Sequence, residues 1–176
     1  MRGRHITALL VTALTITTAT PQVTPQQVLM EALQAAREIQ DALRRALVLE
    51  DIAEAMAEAG IKEATPYLEA LRVAREIEDA YWRVWALGEI ARAMAGAGMH
   101  EQALRVAREI RYADDRARAL GEIARAMARA GMHEQAEGVF AEALQAAREI
   151  EDAGYRAWAL MEIALAMVRA GFPAPP

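Results

Sequence analysis

The feature that most constrains the fold of this chain is a block of sixteen residues that occurs twice. Residues 88–103 read GEIARAMAGAGMHEQA and residues 121–136 read GEIARAMARAGMHEQA, so that fifteen residues are identical at an offset of 33. The word AREI extends the pattern to four copies with periods of 38, 33 and 40 residues. Repeats of this length indicate stacked units of supersecondary structure, each too small to bury an apolar face alone.

Each repeat has the composition and the periodicity of two α-helices. Alanine, leucine, glutamate and arginine favour helices and dominate the chain, whereas β-branched and aromatic residues are sparse after the N-terminus. In the third copy Leu120, Ile123, Met127 and Ala130 lie three or four residues apart and so share one helix face. We predict an all-α fold of four stacked helical hairpins, or eight helices, over residues 24–171. The units end near glycines that fit a left-handed helix C-cap: Gly60, Gly98, Gly131 and Gly171.

Several polar residues are predicted to begin these helices. Thr24 precedes Pro25 and stands three residues before Gln27, which is the pattern of a capping box with proline in the first turn. Thr65, followed by Pro66, is predicted to cap a later helix in the same way. Three aspartates follow AREI by two residues and are predicted both to cap the next helix and to pair with an arginine four residues later. These aspartates are Asp41, Asp79 and Asp152, and their arginines are Arg45, Arg83 and Arg156.

The amino-acid types that are missing exclude several kinds of chemistry. The chain has no cysteine, serine or asparagine, so serine or cysteine nucleophiles, thiolate metal sites and disulfides are ruled out. His100 and His133 occupy the same position in two copies, which duplication of the repeat explains without a metal. We therefore expect no catalytic residues, no metal and no cofactor. The lack of Asn and Cys, with arginine in large excess over lysine, also resembles a thermophile composition.

The first 23 residues are predicted to be an N-terminal leader. Residues 1–5 are basic, residues 6–17 are mostly apolar, and small residues follow around Ala19, which is the order of parts in a secretory signal peptide. The apolar run is too short for an ordinary transmembrane helix, so no membrane span is expected in the mature chain. The predicted localisation is secreted, periplasmic or cell envelope, with a cytoplasmic protein that keeps its leader as the alternative. Residues 172–176 form a proline-rich tail that ends the repeat domain.

The hairpins resemble those of the tetratricopeptide repeat. The residues of the third copy that carry the resemblance are Leu120, Ile123, Ala124, Met127, Gly131, Ala136, Phe140 and Ala143. This chain departs from the family in having alanine in place of a small glycine on the first helix, and it lacks the closing proline. The resemblance implies a right-handed α-solenoid whose first helices line a concave groove. It also implies a protein that binds peptides or partner proteins and performs no chemistry.

The resemblance further implies which residues of the first helices line the groove. Carried onto this chain, these positions hold two tryptophans, one methionine and five arginines: Trp85, Arg92, Arg118, Arg125, Arg129, Trp158, Met161 and Arg169. In the first copy the equivalent positions include Glu50, Glu54 and Glu58, so the groove is predicted to be acidic at its N-terminal end. Because arginine pairs with carboxylates, the expected partner is a protein or peptide that is acidic or carries a carboxylate. The alternative is that the arginines form only a solvated surface.

Two other function classes remain as alternatives to an interaction scaffold. One is an RNA-binding protein of the pentatricopeptide type, although the net charge of −5 argues against a nucleic-acid partner. The other is a fragment of a helical-repeat enzyme. The final helix is apolar nearly all round and no second helix follows it, so we also expect this end to meet another chain, most simply a second copy.

Overall fold

The computed structural model describes residues 23–172, which form eight α-helices and no β-strand. The all-α class and the number of helices are therefore confirmed for these residues. The helices are α1 (Pro25–Arg37), α2 (Ala42–Glu58), α3 (Thr65–Arg75), α4 (Ala80–Gly96), α5 (His100–Glu109), α6 (Ala113–Arg129), α7 (His133–Arg148) and α8 (Ala153–Arg169). Residues 1–22, which hold almost all of the predicted leader, and residues 173–176 of the proline-rich tail lie outside the described part of the chain.

Most of the predicted helix ends are confirmed. The Thr24 hydroxyl accepts from the Gln27 backbone N–H, and the Gln27 side chain accepts from the Thr24 N–H, which completes the capping box. Asp41, Asp79 and Asp152 each accept from backbone N–H groups in the first turn of the next helix. The four turn glycines have φ between 77° and 84°, where a side chain would be strained.

The prediction that Thr65 caps α3 is wrong. Ala64 precedes the helix with φ of −79° and ψ of −21°, which is already a helical conformation, and its methyl group supplies no capping oxygen. Thr65 is therefore the first helical residue and Pro66 the second, where proline still fits because its missing N–H would have no partner in the helix.

The predicted aspartate–arginine ion pairs are also wrong, because the arginines turn toward the backbone of the preceding helix. Each guanidinium donates to the carbonyl of the AREI isoleucine six residues earlier, and Arg83 to Ile77 is the shortest of these bonds at 2.6 Å. Arg45, Arg116 and Arg156 make the same bond. A carbonyl at a helix end has no donor within its own helix, so the arginine satisfies a group that would otherwise lack a partner.

The helices form two layers that differ in how their neighbours meet. The first layer consists of α2, α4, α6 and α8, and each of these helices packs closely against the next. The second layer consists of α1, α3, α5 and α7, and each of its helices pairs with its chain neighbours in the first layer. The core between the layers includes Leu49, Met56, Ile90, Met94 and Ile123, all at most 2% exposed. Met167 of α8 is partly buried and packs against this core. Alanines at the first-layer contacts allow the close approach.

Long side chains join successive helices of the second layer. Arg37 of α1 binds Glu69 of α3, with 2.8 Å between Nη2 and Oε2. Arg75 of α3 binds Glu109 of α5 at 2.8 Å in the same way, and the pattern continues with Arg108 of α5 and Glu142 of α7 at 2.7 Å. The arginines belong to the AREI words, so one repeat position bridges each pair of successive second-layer helices.

Candidate ligand-binding face

The predicted groove residues all lie on the first layer, on helices α4, α6 and α8. Trp85 is partly buried, whereas Trp158 and Met161 are 49% and 48% exposed. Arg125 is partly buried and the other four arginines of the set are exposed. We refer to the solvent-facing side chains of these helices together with those of α2 as the first-layer face. The first-layer face combines exposed aromatic and charged side chains.

Three of the predicted arginines are paired with carboxylates of the protein itself. Arg92 binds Glu89 at 2.9 Å and lies 3.8 Å from Glu54 on the neighbouring helix α2. Arg118 binds Asp115 at 2.9 Å. Arg125 is paired with Glu122 one turn earlier on α6. These contacts reduce the basic character that the sequence predicts for the face, because each arginine would have to exchange a partner to bind an acidic ligand.

Arg129 and Arg169 differ from the other groove arginines. Both are exposed near the C-terminal ends of α6 and α8, and neither makes an ion pair within residues 23–172. A basic side chain in the last turn of a helix interacts favourably with the negative end of the helix dipole. Their positions are therefore explained in part by helix stability, and they are the arginines of the predicted set that an acidic ligand could reach without breaking an ion pair.

Aromatic side chains cluster at the N-terminal ends of α4 and α8. On α4, the Trp82 ring lies edge-on to Tyr81 at 5.1 Å and to Trp85 at 5.9 Å between ring centroids. On α8, Tyr155 is 66% exposed and stands one turn before Trp158. Exposed aromatic residues of this kind are frequent at protein-binding sites.

A cavity of about 520 Å³ lies between the first turns of α6 and α8, and we call it the α6–α8 cavity. Trp158 and Tyr155 line it from α8, and Arg118, Asp114 and Asp115 line it from α6. Burial and the neighbouring Asp114 raise the pKa of the Asp115 carboxyl, while the Arg118 guanidinium opposes this. The structure thus brings two of the predicted residues, Arg118 and Trp158, into one cavity that also contains carboxylates.

A second cavity, of about 560 Å³, lies between α2, α3 and α4, and we call it the α2–α4 cavity. Its polar lining includes Glu54 and Glu58 of α2, Lys62 and Glu63 of the following loop, and Tyr67 of α3. The two α2 glutamates are among the predicted groove positions, whereas Tyr67 is not. The sequence feature that could have indicated Tyr67 is its position. It follows directly after Thr65 and Pro66 at the start of α3, on a helix face that is otherwise apolar.

Tyr67, which lines this second cavity, and Glu50 of α2 are buried polar groups. Glu50 is 5% exposed and Tyr67 is 2% exposed. Burial and the charges of Glu54 and Asp51 raise the pKa of the Glu50 carboxyl to about 7, and Arg92 of α4 partly offsets this. Burial and the charges of Glu54 and Glu50 raise the pKa of the Tyr67 hydroxyl to about 12. A carboxyl that is half protonated near neutral pH is unusual and often marks a functional site.

Helix α8 exposes a continuous apolar stripe on the side where a further unit of the stack would pack. Trp158, Met161, Leu165 and Val168 are between 40% and 65% exposed and lie three or four residues apart, so they share one face. At the positions of Met161 and Val168 the inner helix α6 carries Gly121 and Ala128, which are buried, whereas at the position of Trp158 it carries Arg118, which is exposed.

Neither a metal centre nor a membrane span is evident in the described part of the chain. Residues 23–172 contain no group of three or more histidine, aspartate or glutamate side chains placed to hold a metal ion. No helix in the same range is both long enough and apolar enough to cross a bilayer.

Comparison with known proteins gives one structural likeness. No protein-family model matches the chain, and no curated protein matches it in sequence. A solved structure, "Crystal structure of Ton1535 from Thermococcus onnurineus NA1", matches with a TM-score of 0.52 and 20% identity over 87% of this chain and 49% of that chain. The chain therefore spans about half the length of that protein. At this identity the likeness concerns the fold alone, and the two proteins share a helical arrangement over the matched residues.

Proposed function

We propose that this protein is a non-catalytic interaction scaffold that binds a peptide or a segment of a partner protein on its first-layer face. The observation that carries the proposal is the pair of cavities between successive first-layer helices, each lined by aromatic and charged side chains. Their volumes lie in the range that small ligands and single side chains occupy. A face of this kind recognises side chains at separate points along a bound segment.

The architecture proposed for this scaffold is a right-handed solenoid of the tetratricopeptide type. Close packing of first-layer helices, together with long arginine–glutamate bridges between second-layer helices, supports curvature with the first layer on the concave side. The proposed partner carries charged side chains of both signs. Arg129 and Arg169 offer exposed cations, whereas Arg92, Arg118 and Arg125 are paired and present their carboxylates beside them.

We further propose that the protein is exported and that the stripe on α8 joins two copies of the chain. The basic and apolar segments of residues 1–23 support export, and N-terminal sequencing of the protein purified from its own cells would identify a cleaved form. Four exposed apolar residues on one face of α8 support self-association, because contact with a second copy would remove them from water.

The scaffold proposal is tested by affinity enrichment from the envelope fraction of the native cell. The full chain serves as bait beside a variant with Trp85→Ala, Arg92→Glu and Arg125→Glu. A protein that the first bait retains and the second loses, and that binds the purified wild type in a direct titration, would support binding on the first-layer face. Equal retention by both baits would place binding elsewhere on the molecule and contradict the proposal.

A further inference from the structure

Tyr67, which lines the α2–α4 cavity, has a buried hydroxyl without a partner, and Glu50 of α2 has a buried carboxyl oxygen without one. Arg45 Nε and His100 Nδ1 are in the same situation elsewhere in residues 23–172. The Tyr67 hydroxyl and Oε1 of Glu50 are buried, and neither makes a hydrogen bond within residues 23–172. Buried polar atoms in native proteins are nearly always hydrogen-bonded, and one left unpaired is costly. A group outside the described side chains would complete the hydrogen bonding of each atom.

The charged side chains around the cavity indicate whether that group is a cation or an anion. Glu54 and Glu58 of α2 and Glu63 and Lys62 of the following loop line the cavity, and Arg92 of α4 lies 3.8 Å from Glu54. Three carboxyl groups of the lining therefore stand against two cations. The Arg92 guanidinium is already bound to Glu89 at 2.9 Å, and Lys62 is exposed at the rim. A cationic hydrogen-bond donor complements this environment, whereas an anion would meet repulsion.

The walls of the cavity indicate the shape of the ligand. Ala57, Ala93, Gly96 and Met99 line it with small or flexible apolar groups, beside the polar floor at Tyr67. Lysine and arginine side chains have an apolar stem and a cationic head with several N–H donors, so one such side chain can contact both parts. A cavity of about 560 Å³ has room for the whole side chain.

We propose that the α2–α4 cavity binds a lysine or arginine side chain of the partner peptide, with the Tyr67 hydroxyl and the Glu54 carboxylate accepting its N–H hydrogen bonds. The proposal rests on the scaffold function and deepens it, because it names the residue that anchors the bound segment. It also reverses the polarity that the groove arginines suggest for this end of the face, in agreement with the acidic first copy of the repeat.

The test is a titration of the full chain with capped pentapeptides, followed by methyl and amide NMR. The four probes are acetyl-Ala-Ala-Xaa-Ala-Ala-amide with lysine, arginine, norleucine or glutamate at the centre. Norleucine keeps the apolar stem of lysine and removes the ammonium group. We expect the lysine or the arginine peptide to shift the Met99 methyl and Ala97 amide signals in a saturable manner. Tyr67→Phe, which preserves the ring, is expected to raise the dissociation constant about tenfold, and Tyr112→Phe is the matched control.

Each other result would overturn the proposal. Norleucine binding as tightly as lysine would show that the cavity recognises only apolar surface, and preference for glutamate would show that Lys62 and Arg92 dominate. Shifts of the Trp85 and Trp158 indole signals with none at Met99 would refute the basic-side-chain site and leave the scaffold function standing. An unchanged dissociation constant in Tyr67→Phe would show that the Tyr67 hydroxyl does not bind the ligand and would contradict the proposal.

Discussion

Replacing Glu50 with glutamine is expected to stabilise the protein above neutral pH and to change its stability little at pH 5. Burial raises the pKa of the folded Glu50 carboxyl to about 7, from its ordinary value of 4.5. The folded state therefore holds a proton more tightly than the unfolded state. The stability that this proton provides is fully present below pH 4.5 and is lost as the pH rises through 7. Glutamine resembles the protonated carboxyl at every pH and removes this loss.

The size of the effect follows from the shift in pKa. Each unit of pKa shift corresponds to about 1.4 kcal/mol. The rise of the Glu50 pKa from 4.5 to about 7 therefore corresponds to a loss of at most roughly 3 kcal/mol of stability at pH 8.5. For a chain of this length that energy corresponds to roughly 6–12 °C in Tm. Burial of His100 lowers its pKa, so its contribution is present above pH 6.5 and is lost at lower pH. This opposite trend cancels when variant and wild type are compared at the same pH.

The assay is thermal and urea unfolding, followed by circular dichroism at pH 5, 6, 7 and 8.5. The matched control is Glu58→Gln, which changes an exposed carboxyl on the same helix. We expect the Tm difference between Glu50→Gln and the wild type to grow from pH 5 to pH 7 and to level off by pH 8.5, and the control to show no such trend. A difference that is constant with pH, or a variant that is less stable than the wild type at pH 8.5, would refute the assignment of Glu50 as a buried and readily protonated carboxyl.

Three further predictions concern the turns, the arginine–carbonyl bonds and the end of the stack. Gly131→Ala places a side chain at φ of 82° and should lower the free energy of unfolding by about 1–2 kcal/mol in a urea titration. Gly138→Ala lies within α7 and faces open space, so it should raise the free energy of unfolding by about 1 kcal/mol. Changes of the same sign in the two variants would contradict the backbone conformations of these glycines. Arg83→Met removes the 2.6 Å bond to the Ile77 carbonyl and should cost about 1–2 kcal/mol, so a variant as stable as the wild type would exclude that role. Leu165→Glu should convert a dimer into a monomer in sedimentation velocity, and a monomeric wild type at micromolar concentration would disprove association through α8.

The helices, their ends and the repeat could be predicted from the sequence because they depend on residues close together in the chain. A capping box involves Thr24 and a residue three positions later, and a left-handed turn depends on the glycine itself. The same local reasoning failed for Arg83. Its nearest acidic residue in sequence, Asp79, already accepts from the backbone of α4, and the Ile77 carbonyl at the preceding helix end was the stronger partner.

The candidate site was only partly predictable for the same reason. Phase within the repeat placed Trp158 and Arg118 on one face, and the structure brings them into one cavity. The position within the repeat did not predict that Arg92, Arg118 and Arg125 would each pair with a carboxylate one turn away or on the neighbouring helix. This pairing changes the charge of the first-layer face. Pairing of side chains depends on their directions as well as their spacing.

The sequence by itself determined the all-α class, the eight helices and the unit that is repeated, because periodicity and capping are properties of short segments. Tertiary structure alone decided which polar groups are buried and which charges meet. Glu50 and Tyr67 stand 17 residues apart on different helices, and the spacing within each helix does not reveal that the polar atoms of both are buried. Packing of α2, α3 and α4 removes both from water, and that desolvation raises the pKa of each side chain.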